Sequence, residues 1–146
     1  MAANRGVCCS VSTFTVYVLF WLVLMLLAVG NGILREASYG LHLAELHAHQ
    51  VSTLSAWALF GVAVWLLARK RVPASLKQSL QIGLVWLLFT LSFEFLFGHY
   101  VAGHSWGRLL QDYDILSGRL WLLLLVWVTV LPVLVYKVHE RAWAGL

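Results

Sequence analysis

The sequence predicts an all-α integral membrane protein, an antiparallel four-helix bundle with a short interfacial helix at its outer end. Three observations carry that prediction. Of 146 residues, 62% are hydrophobic and only 11% charged, with a mean hydropathy of +0.84, whereas soluble domains carry about 25% charged residues. Four charge-poor stretches approach the ~20 residues that a helix rising ~1.5 Å per residue needs to cross a ~30 Å hydrocarbon core. The Lys and Arg residues also segregate to one side of those stretches. With no internal repeat, low-complexity tract or linker, residues 1–146 read as a single domain.

The first predicted span, 14–34, is uncharged until Arg35. It follows Arg5 as a signal sequence would, but it is too long for a signal core and no small-x-small cleavage site follows, so it is expected to stay as an anchor. The second span, 51–68, carries Ser52, Thr53 and Ser55, and the third, 79–101, carries Gln81, Thr90, Ser92 and Glu94. Lipid offers their backbones no hydrogen-bond partners, so both must be helical. The fourth, 120–136, is bracketed by Arg119 and Lys137. Between the second and third spans, Pro73 marks the break and Ser75 is placed to cap the next helix, which predicts a tight antiparallel hairpin.

The longer outer connections are more polar. In the last of them Trp106, Leu109, Leu110, Tyr113 and Leu116 form one apolar stripe at helical spacing, with Ser105 as N-cap and Arg108 and Asp112 four apart on another face. A short helix lying on the membrane surface is expected there.

Orientation follows from the retention of Lys and Arg in cytoplasmic loops. With the N-terminus inside, the inner side carries Arg5, Arg69, Lys70, Arg71, Lys77, Lys137 and Arg141, against Arg35, Arg108 and Arg119 outside. Seven cations and Glu140 give the inner side +6; three cations against Glu36, Glu45, Glu94, Asp112 and Asp114 give the outer side −2. Both termini are therefore expected in the cytoplasm, with a plasma or inner membrane favoured. The basic pI reflects attraction to anionic inner-leaflet lipid and not nucleic-acid binding. Cys8 and Cys9, the only cysteines, then sit on the reducing side, which excludes disulfide-carrier chemistry and leaves juxtamembrane packing or S-acylation.

Chemistry is expected where polar residues defy the lipid. An ionisable group inside a span costs about 3 kcal/mol by insertion scales and turns toward a partner or a wet cavity, which singles out Glu94. Asn31 and Arg35, four apart on the first helix, and Arg119 at the start of the fourth fall at the same depth. These four residues form the candidate ligand or ion pathway. His42, Glu45, His49, Ser52 and Ala56 follow a 3-4-3-4 spacing that aligns them on one face of the second helix, and His99 and His104 approach the same level. A metal set of His42, Glu45, His49, His99 and His104 is the candidate there, although no HxxxH or HxxEH spacing fixes ligands. A metal ion or a single haem is compatible with the sequence and required by nothing in it.

The blandest functional expectation is an accessory or structural subunit of a membrane complex, its eight Trp packing against other chains or a second copy. The alternatives are a small transporter or ligand-binding protein using Glu94 and Arg35, and a membrane enzyme with a His/Glu metal site at the outer rim. The bilayer itself is the one partner common to all three.

Overall fold

The structure, a computed structural model, describes residues 3–111, 113–114, 116 and 118–144, with side chains described from 13 to 142 apart from 112, 115 and 117. The Cys8 and Cys9 side chains and Asp112 lie outside those residues. The described chain is helical throughout its regular structure, with α1 (Ala3–Ala37), α2 (Glu45–Ala68), α3 (Leu76–Leu96), α4 (Trp106–Gln111) and α5 (Trp121–Ala144). Segments Thr13–Ala37, Glu45–Ala68, Leu76–Val101 and Trp121–Ala142 are long and apolar enough to cross a membrane. This is the architecture of a membrane protein.

The four long helices close a ring in the order α1, α2, α5, α3. Each runs opposite to the long helix before it in the chain, yet α2 and α3 face each other across the diagonal, so the expected hairpin between them does not form. A linker of 69–75 is long enough for this. Seven residues at ~3.3 Å each reach well beyond the diagonal of a bundle with axes 8–10 Å apart, about 13 Å. Tyr17 anchors the linker by donating its hydroxyl to the Arg71 carbonyl at 2.8 Å. Ser75 caps α3 as predicted, accepting from the Gln78 amide, while the Gln78 side chain accepts from the Ala74 amide at 2.7 Å. That pair satisfies the open first-turn amide of Gln78 and ties down the Ala74 amide just before the cap.

Because of the ring order, two seams are parallel. Tyr17 stacks on Trp86 and Trp21 donates to the Thr90 hydroxyl, tying α1 to α3; Gln50 donates to the Gly118 carbonyl and Trp57 stacks on Trp127 along α2 and α5. The α3–α5 seam is the closest. There a Cβ on Gly83 would lie 2.0 Å from the Thr129 carbonyl oxygen, so the two backbones meet where only glycine fits.

The end of the bundle carrying Arg69, Lys70, Arg71 and Lys77 is solidly packed: Tyr17, Val64, Ile82 and Trp86 are wholly buried. The opposite, polar end is differently built. After α3 the chain widens into a π-turn over Phe97–Val101, and α4 folds back on it. Part of the stripe predicted to lie on the membrane packs on the bundle, while Leu110 and Leu116 stay exposed. Leu109 is buried against Gly98, and Trp106 and Tyr113 stack on Phe95. The helix is only six residues long, capped by Ser105 as predicted, and Leu116 beyond it is fully exposed.

Candidate functional site: a cavity at the polar end

Asn31 is buried where α1 meets α2. Its amide donates to the carbonyl and hydroxyl of Ser52 at 2.8 and 2.9 Å and its oxygen accepts from the Ser55 hydroxyl at 2.9 Å. These bonds bind α1 to α2 in a medium with no water to compete for the groups. One turn on, Arg35 reaches His49 at 3.2 Å and Glu36 at 2.8 Å. A guanidinium only donates, so His49 Nδ1 is the acceptor and the ring proton sits on Nε2.

On the other wall, Glu94 of α3 accepts a 2.6 Å bond from the Tyr113 hydroxyl. Arg119, just before α5, lies 3.6 Å from Glu45, which also meets Arg108 at 3.5 Å. These last two contacts are long and their carboxylate is exposed, so they bind weakly.

All of these groups except Ser55 and Tyr113 line one space. A cavity of about 1080 Å³ runs down from the polar end between the four long helices. Asn31, Arg35, His49, Glu94 and Arg119 line its mouth, while Trp21, Leu24, Phe60, Phe93, Leu124 and Val128 line the deeper part. The packed core closes it below. Ile33 and Phe97 also line it and are exposed on the outside of the bundle, so the space reaches the surface beside α1 and α3. Phe93 and Phe97 stack there, on the side of α3 that receives Trp21.

The structure therefore brings together the four residues of the predicted pathway. It does not assemble the predicted metal set. Among the described residues no three His, Cys, Asp or Glu side chains come together as a group able to hold a metal. His42 is exposed before α2 begins, so the 3-4-3-4 face enters the bundle only from His49 onward. His99 donates its Nδ1 proton to the His104 carbonyl at 2.9 Å and stacks on Trp106, while Glu45 turns to Arg108 and Arg119.

Tyr113 is the residue sequence reasoning misplaced, since it reads as part of an apolar stripe and serves as the donor to Glu94. The only available signal was its hydroxyl, because a buried tyrosine needs a polar partner. Trp121 was also passed over. It lines the cavity, and its indole N–H is buried with no hydrogen-bond partner among the described residues.

Neither a protein-family model, a curated protein nor a solved structure matches the chain.

Proposed function

We propose that this is a small ligand-binding or transport protein of the membrane, which holds an amphipathic molecule in the cavity at its polar end. The supporting observation is the convergence of Asn31, Arg35, His49, Glu94 and Arg119 on the mouth of one space with an apolar floor. Ligand sites combine an apolar lining with a few convergent polar groups in this way. The expected roles are an electrostatic seat for Arg35 and Arg119, a carboxylate positioned by Tyr113 for Glu94, and a structural role for Asn31, whose bonding groups are committed to Ser52 and Ser55. An accessory subunit would use the same end as an interface with another chain. The inward burial of Asn31, Ser52 and Thr53 favours a pocket over that use.

The reading is tested by extracting protein purified in mild detergent and measuring bound small molecules by mass spectrometry. A stoichiometric amphiphile is expected, and it should disappear in Gly32→Leu. Gly32 lines the cavity, and a Cβ there meets nothing within 4 Å, so the backbone has room for a side chain to start there. A folded Gly32→Leu protein that keeps its full complement of ligand overturns the reading.

The proposed topology puts both termini in the cytoplasm and opens the cavity away from it. Leu116, fully exposed at the polar end, then lies outside. In a background with Cys8 and Cys9 changed to Ser, a Leu116→Cys protein is expected to react with a membrane-impermeant maleimide in intact cells. Labelling only after lysis reverses the topology.

A further inference from the structure

We infer that the ligand is a single-chain amphiphile with an anionic headgroup, a carboxylate or phosphate ester, seated between Arg35 and Arg119. This rests on the binding reading above and adds the chemistry of the ligand.

Among the described residues six charged side chains line the cavity, three Arg (35, 108, 119) and three Glu (36, 45, 94), so their total is balanced. Depth breaks the balance. The side chains of Arg35 and Arg119 are 28% and 22% exposed, whereas those of Glu36 and Glu45 are 74% and 70% exposed. Solvent and salt screen the two rim carboxylates far more than the half-buried guanidiniums. Among the described residues of the sheltered layer, Arg35 and Arg119 line the cavity together with one carboxylate, Glu94.

Hydrogen-bonding capacity is skewed in the same direction. Arginine only donates, His49 Nδ1 accepts from Arg35, one Glu94 oxygen accepts from Tyr113, and the buried Trp121 N–H has no partner among the described residues. The complementary headgroup is therefore an acceptor carrying negative charge, which planar guanidiniums recognise best. Beneath it the walls are aromatic and aliphatic, with no second charge. A cavity of about 1080 Å³ lies just above the ~300–1,000 Å³ typical of small-molecule sites. That suits one long chain better than the two of a bilayer phospholipid.

The test uses the full chain in nanodiscs of zwitterionic lipid, with radiolabelled palmitate, hexadecyl phosphate and the uncharged methyl palmitate, subtracting partition into empty nanodiscs. One saturable site is expected for at least one anion, with methyl palmitate at least about tenfold weaker, the order expected for loss of a charge-assisted bond. Palmitate binding tighter than hexadecyl phosphate, or the reverse, identifies the headgroup. Arg119→Gln should weaken the anion about tenfold and leave the ester unchanged, and Arg35→Gln carries the same expectation if the first variant does not fold.

Methyl palmitate bound as tightly as palmitate, or a folded Arg119→Gln protein with undiminished anion affinity, overturns the anionic headgroup while leaving a ligand-filled cavity standing. No saturable binding of any of the three overturns the inference outright. The extraction experiment then decides separately whether the cavity holds something else.

Discussion

Replacing Gly83 by alanine is expected to destabilise the bundle more than any other single methyl added to the described chain. The new Cβ would stand 2.0 Å from the Thr129 carbonyl oxygen, and what it meets is backbone, which cannot rotate aside as a side chain can. Either α3 and α5 move apart along their closest seam or the substitution is not accommodated. Overpacking costs about 1–3 kcal/mol where side chains yield. Here the upper end is expected, a fall of roughly 10 °C in the unfolding midpoint in detergent. Gly30→Ala is the control. A Cβ there meets nothing within 4 Å, so it should hold or slightly raise the midpoint through better helix propensity. A Gly83→Ala protein as stable as the Gly30→Ala control refutes the close approach.

Trp86→Ala is expected to follow closely. Trp86 is fully buried, stacks on Tyr17 at 6.0 Å between ring centroids, and donates its indole N–H to the Tyr17 carbonyl at 2.8 Å. Its own carbonyl accepts from Thr90, whose hydroxyl accepts from Trp21. The Trp86 side chain thus ties α3 to α1 by both packing and a hydrogen bond. Truncation of a buried Trp costs about 3–5 kcal/mol in a water-soluble core. Lipid is as apolar as the protein interior, so the transfer contribution falls away and mainly lost packing remains. About 3 kcal/mol is expected. Trp86→Phe retains most of the packing and loses the hydrogen bond, for about 1 kcal/mol. Thermal unfolding of the pair in one detergent separates the two contributions, and equal losses refute this division.

The spans were legible because the bilayer imposes length and apolarity on any helix that crosses it. The expected 14–34, 51–68, 79–101 and 120–136 correspond to Thr13–Ala37, Glu45–Ala68, Leu76–Val101 and Trp121–Ala142. The differences lie at the ends, where helices run on with polar residues such as Glu45, His49 and Lys77. The ring order was not legible. In a soluble protein hydrophobicity distinguishes the inward face, but here lipid and core are equally apolar, and Leu54 on the outside and Val64 on the inside are chemically alike. Small and polar residues carry the remaining signal, as Gly83 and Asn31 show. The same reasoning explains the site. Glu94, Arg35 and Arg119 stand out because lipid penalises them, whereas the histidines at the rim are unconstrained by it and scatter. Tyr113 and Trp121 are invisible because an aromatic ring suits packing, the interface and a binding site equally.

The molecule resembles a tuning fork, welded at one end by Tyr17, Trp86 and the Gly83 contact and hollow between its tines at the other. Splaying the α1–α2 pair from α3 and α5 at that end breaks the 2.9 Å Gln50–Gly118 bond and the long contacts of Glu45 with Arg108 and Arg119, and leaves the handle untouched. Opening and unfolding are thereby uncoupled. In the proposed binding role a guest would enter and leave by movements at that end alone, so its exchange would not require the welded end to unfold.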